Sequence, residues 1–218
     1  MTADGNGITF QMGGSLYSVP ADDGGAPQLV LEREDRFSGL YPLAWSRNGR
    51  VLMFSAPART TNRDVWMLPN ESAIMPFLVT ARDERAGMFS PDGRWVLYAA
   101  RETGREEQVY VQPYPGPGGR VVISPDAGIE PVWSPSGREI FYRSSDGTRM
   151  ISVEVSTEPT LTIGDSRVLF AGRFVSSDGS YWSNYDVSRN GQEFLMLEAD
   201  LPSTPRLNVV MNWTDDLR

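Results

Sequence analysis

One short motif recurs along this chain at a fixed interval, and that recurrence limits the fold more than any other feature. It appears as Asp4-Gly5-Asn6, Ser46-Arg47-Asn48-Gly49-Arg50, Ser90-Pro91-Asp92-Gly93-Arg94, Ser134-Pro135-Ser136-Gly137-Arg138 and Ser188-Arg189-Asn190-Gly191-Gln192. Its glycines fall at 5, 49, 93, 137 and 191, so three intervals are 44 residues and the last is 54. The excess in the last interval fits a loop insertion within Phe174 to Ser183. A polar hydroxyl residue, a turn-former and a glycine between apolar runs describe a tight turn, in which glycine supplies the positive φ without steric cost.

The flanks repeat as well. Leu43-Ala44-Trp45, Gly87-Met88-Phe89, Pro131-Val132-Trp133 and Tyr185-Asp186-Val187 precede the motif, and Val51 to Phe54, Trp95 to Tyr98, Glu139 to Tyr142 and Glu193 to Met196 follow it. A third apolar segment (Val65 to Leu68, Val109 to Val111, Met150 to Val153) and a fourth (Phe77 to Val79, Val121 to Ile123, Arg167 to Phe170) complete each unit. These runs are strand-length, rich in β-branched and aromatic residues, and bounded by Gly, Pro, Asn and Asp. Four strands per unit of about 40–45 residues define a β-propeller blade. The expectation is an all-β, single-domain chain over residues 1–218, a β-propeller of about five four-stranded blades. The repeats fall approximately at 1–44, 45–88, 89–132, 133–186 and 187–218. Trp45, Phe89, Trp133 and Val187 should be equivalent on the inner strands, and Trp66, Tyr110 and Ile151 on the third.

Composition narrows function by exclusion. The chain has no Cys, no His and no Lys, and 20 basic against 28 acidic residues give a net charge of −8. Thiol, Ser-His-Asp and Schiff-base chemistry and Cys/His zinc sites are thereby excluded. An acidic surface also argues against nucleic acid as a partner. No stretch is long and apolar enough to insert in a membrane. Asp22-Asp23-Gly24-Gly25 and Ser176 to Ser180 lack the acidic spacing of a calcium loop, so no metal and no cofactor are expected. Candidate carboxylates for glycosidase-type chemistry, Asp126, Glu130, Glu158, Asp178 and Asp186, form no distinctive constellation, and no catalytic residue is assigned.

Ser-Pro-Asp-Gly-Arg at 90–94, preceded by strands ending in Phe89 or Trp133 and followed by Val109-Tyr110-Val111, resembles the TolB-like repeat, also called the PD40 or WD-like repeat. The stretch from Val109 to Gly119 is similar to propellers appended to bacterial Ser/Thr protein kinases. That resemblance implies a non-catalytic platform binding a protein, a peptide or a small ligand, as a sensor or interaction domain of a larger bacterial signalling protein. The compartment is not readable: extracytoplasmic if the parent is membrane-anchored, otherwise cytoplasmic. The alternative is a carbohydrate-active or peptidase-associated propeller, with carboxylates at the channel mouth or a separate hydrolase domain gated by the ring.

Two departures bear on the ring. The first repeat keeps only Asp4-Gly5, without a matching Ser or Pro and without an inner strand. The last lacks an outer strand after Trp213. A five-bladed open ring, or part of a six-bladed parent, is expected, with unpaired edges that invite self-association. The loops entering the inner strands should surround one mouth of the channel. Candidate ligand-binding residues there are Phe37, Tyr41, Arg82, Arg85, Glu130, Tyr181, Trp182 and Asn184. Aromatic residues with Arg suit protein or peptide recognition.

Overall fold

A computed structural model describes residues 2, 4–22, 25–58, 62–70, 73–175 and 182–198, and the backbone of 206–210. All regular structure among the described residues is β. The first sheet holds β1 (Gly7–Met12), β2 (Ser15–Pro20) and β3 (Gln28–Leu31), and the second β4 (Tyr41–Trp45), β5 (Val51–Pro57), β6 (Arg63–Pro69) and β7 (Met75–Leu78). The third is β8 (Asp83–Phe89), β9 (Trp95–Arg101), β10 (Glu107–Pro113) and β11 (Val121–Val122); the fourth is β12 (Gly128–Trp133), β13 (Glu139–Ser144), β14 (Arg149–Ser156) and β15 (Thr162–Ala171). The fifth holds β16 (Tyr185–Val187), β17 (Phe194–Glu198) and β18 (Arg206–Val210). Each sheet is an antiparallel meander, which needs only hairpin connections. Three blades are thus four-stranded, and among the described residues the first and the fifth show three strands each.

Register confirms the equivalences. Trp66, Tyr110 and Ile151 stand opposite Phe54, Tyr98 and Tyr142. Trp45, Phe89, Trp133 and Val187 end the four inner strands. Gly49, Gly93, Gly137 and Gly191 have φ of 68°, 74°, 71° and 75°, the left-handed values the turn requires. The fourth segment of the fourth blade is longer than its apolar run suggests, because β15 extends to Thr162–Ala171 against the eight-residue β14. Of the insertion, residues 176–181 lie outside the described residues.

The first repeat needs a correction. Its turn is complete, with Thr2 in place of the serine. Ser90 takes the Trp95 N–H on Oγ at 3.0 Å, bonds Asp92 at 2.5 Å, and accepts the Gly93 N–H on its carbonyl at 2.9 Å. Thr2 reproduces all three with Gly7 at 2.8 Å, Asp4 at 2.6 Å and Gly5 at 3.1 Å. A threonine hydroxyl performs the same capping as serine, and a search for Ser or Pro misses it.

Apolar residues between adjacent blades form the core in four clusters. Leu16, Phe37, Leu52, Phe54 and Trp66 join blades one and two; Met53, Met67, Phe89, Val96 and Tyr98 join two and three. Leu97, Val111, Trp133, Ile140 and Val153 join three and four; Phe141, Met150, Tyr185 and Phe194 join four and five. No corresponding cluster joins blade five to blade one among the described residues. Four cores thus lie in series from the first blade to the fifth.

Candidate functional site

The sequence-predicted mouth residues divide by fate. Phe37 is 2% exposed and packs edge-on against Trp66 at 5.3 Å, so it belongs to the first inter-blade core. Arg82 pairs with Glu102 at 2.7 Å, which raises the guanidinium pKa and lowers that of Glu102. Arg85 is buried, held by Asp83 and within 3.6 Å of Glu107. The latter carboxyl has its pKa raised by burial, an effect that Arg85 and Arg101 oppose. Arg85 thus braces a strand end from a buried position, while Arg82 is held by its ion pair with its side chain a third exposed.

Glu130 is buried, and the backbone of Asn184 meets it. Glu130 is 3% exposed and its Oε2 accepts from Arg143 Nη1 at 3.1 Å and from the Asn184 backbone N–H at 3.2 Å. Arg143, fully buried, also donates to the carbonyls of Gly147, Phe174 (3.2 Å) and Val175 (2.7 Å). The Tyr185 hydroxyl donates to the Glu130 carbonyl at 2.9 Å. The node pins the chain entering blade five against blade four. The geometry arises at a bulge in β12, where Glu130 adopts φ of 53°. Equivalent bulges interrupt β4 after Pro42 and β8 around Ala86. Arg143 was not singled out from the sequence; its only signal is an arginine on an inner-facing strand whose counterparts are Ser55 and Ala99.

Tyr41 and Trp182 meet, and they remain accessible. Their rings lie 6.5 Å apart in an edge arrangement, and Trp182 Nε1 donates to the Pro42 carbonyl at 2.8 Å. Trp182 stays 47% exposed while its orientation is fixed at both ends. It closes a cavity of about 400 Å³ whose other walls come from β1 (Thr9, Phe10, Gln11), β4 and Leu52 of β5. Trp45 Nε1 donates to Thr9 Oγ1 at 2.9 Å, tying the two walls together. Tyr181 lies outside the described residues. Among the carboxylates considered for catalysis, Glu158 pairs with Arg94 at the opposite end of the blades, Glu130 is buried, and Asp178 is outside the described residues.

A repeated four-stranded meander, one glycine turn per blade and side chains interleaved between blades make this a β-propeller. Within that class its fold is similar to that of TolB: it superposes on a protein assigned as TolB in Agrobacterium tumefaciens with a TM-score of 0.73 at 16% identity, over 97% of this chain and 75% of that one. It matches TolB from Acinetobacter baumannii with a TM-score of 0.68 at 15% identity, over 95% of this chain and 50% of that one. An oligogalacturonate lyase in complex with manganese gives 0.71 at 11% identity, over 99% of this chain and 61% of that one. At these identities the likeness is one of fold. No family model matches the sequence, and no curated protein does.

Proposed function

We propose that this chain is a non-catalytic binding module, the sensor or interaction domain of a larger bacterial signalling protein, which recognises a protein or peptide at the mouth lined by Tyr41 and Trp182. One observation carries the reading: a tryptophan held half-exposed in a fixed orientation over an apolar cavity. Rigid aromatic anchors beside a pocket dominate binding energy at protein interfaces because they desolvate a large area at small entropic cost. The likeness to TolB proteins supports a binding role, while the likeness to a lyase keeps the catalytic alternative in view. The carboxyl best tuned for acid–base work is Glu84, pushed up to about 7 by burial. At 1% exposure it is sealed between blades two and three, which gives a substrate no path to it. The test is selection of peptides from a random display library on the immobilised protein. Peptides recovered should lose at least about tenfold in affinity, roughly 1.4 kcal/mol, against Trp182→Ala. Peptides that ignore this substitution, or failure to recover any, overturn the mouth as the binding site.

A further inference from the structure

β15 departs from the pattern of the other blades. The last strands of blades one, two and three run four, four and two residues, whereas β15 runs ten as the outermost strand of its sheet. Thr162 to Val168 are exposed without a break, the apolar Ile163 and Val168 among them. Short length, proline and charge of one sign guard an outer strand against pairing, and β15 has none of these. Two bulges interrupt its ladder with β14, and between them Ser166, Arg167 and Val168 keep regular register with Val153, Ser152 and Ile151. The direction of the backbone groups follows from the next ladder. The Val155 N–H donates to the Arg138 carbonyl at 2.8 Å, so alternation turns Val153 and Ile151 toward β13 and Ser152 toward β15. Ser152 is therefore bonded to Arg167, and the N–H and C=O of Ser166 and Val168 face outward.

We propose that β15 is a dimerisation edge, on which two copies pair antiparallel about a two-fold axis at Ser166 and join their fourth blades into one eight-stranded sheet. The side chains select a second copy as the occupant. Asp165 and Arg167 flank Ser166, so with Ser166 opposite its own copy each Asp165 stands opposite Arg167 of the second copy, twice over by symmetry. Moving the axis by one residue sets two carboxylates or two guanidiniums opposite each other, which fixes the register. A two-fold contact requires a surface complementary to itself, and the charge order of this strand meets that requirement. Arg167 also donates to Glu139 of its own blade at 3.3 Å, and a guanidinium has donors enough for both carboxylates. The net charge of −8 on each copy opposes association, and one strand pair is small beside the about 1,200–2,000 Å² of a stable complex, so the dimer is weak and concentration-dependent. This pairing is independent of the mouth at Tyr41 and Trp182. It places two mouths on one particle, which a bivalent partner holds with avidity.

Sedimentation equilibrium from about 10 μM to about 1 mM, a range that covers weak association, should show a monomer–dimer equilibrium. Amide exchange at Ser166 and Val168 should slow as the dimer fills. Asp165→Arg and Arg167→Asp each make the strand repel its own copy, and each should weaken dimerisation at least about tenfold. Mixed in equal amounts, these two variants complement one another and should form a heterodimer of parental strength. Recovery on mixing is a result that loss of fold cannot produce. Should Arg167→Asp fail to fold for want of its bond to Glu139, Asp165→Arg and the exchange measurement on the parent decide together. A parent that stays monomeric at about 1 mM overturns the proposal. So does a dimer indifferent to Asp165→Arg, whose contact then lies elsewhere, or one that protects neither Ser166 nor Val168. None of these results bears on the peptide selection at the mouth, which decides the binding reading separately.

Discussion

Arg143 and Glu130 sit among carbonyls and apolar rings between blades four and five, where water cannot replace a lost partner. Truncating one member leaves the other buried and unpaired, so Arg143→Ala should cost roughly 3–5 kcal/mol in urea denaturation. Replacing both with Met should cost less than Arg143→Ala alone. Glu84 tests a different balance. Burial, with the nearby Asp64 carboxylate adding to it, lifts its pKa from 4.5 to about 7, against the 2.5 Å hydrogen bond from Thr80. Its folded-state pKa is raised, so the folded chain holds the proton more tightly than the unfolded chain. Stability from this group is present below pH about 4.5 and is lost as pH rises toward 7. Glu84→Gln, neutral throughout, should therefore gain stability relative to the parent between pH 5 and 8. A parallel pair of pH profiles contradicts that account. Neither the Arg143 node nor the Glu84 environment was legible in the sequence, because both depend on which neighbouring blade faces the side chain, and 44-residue periodicity says nothing about that.

At the scale of the element, the repeating turn carries the blade. Gly93 has φ of 74° and open space where a Cβ would stand, so substitution there strains the backbone without a clash. Gly93→Ala should lower stability by about 1–2 kcal/mol and Gly93→Val by more, read from thermal or urea unfolding. Equal effects of the two would mean that something other than backbone strain sets the cost. The strands, their order within each blade and the turn glycines could all be read from the repeat, since hairpin chemistry is local. Thr2 could not, because its equivalence to Ser46 and Ser90 shows only in the bonds it makes. The candidate site was partly readable for the same reason. Tyr41 and Trp182 were named from the loops that carry them, but β1 as the opposite wall was not. Phe37 and Arg85 were named from those same loops and turn inward, an outcome fixed by packing across blades.

For the molecule as a whole, stability resides between blades. Trp133 is nearly inaccessible in the cluster joining blades three and four, and Trp133→Ala should cost roughly 3–5 kcal/mol in thermal unfolding. A variant that melts like the parent would remove that cluster from the core. No described helix is long and apolar enough to cross a membrane. Four similar cores in series, with none described between the fifth blade and the first, also give the molecule a mechanical character. Blades joined in series pass a pull from one joint to the next. Drawn out by its ends, this chain should yield one joint at a time, in a sawtooth of force. Each tooth should release close to one 44-residue unit, or about 150 Å of contour length at roughly 3.4 Å per extended residue.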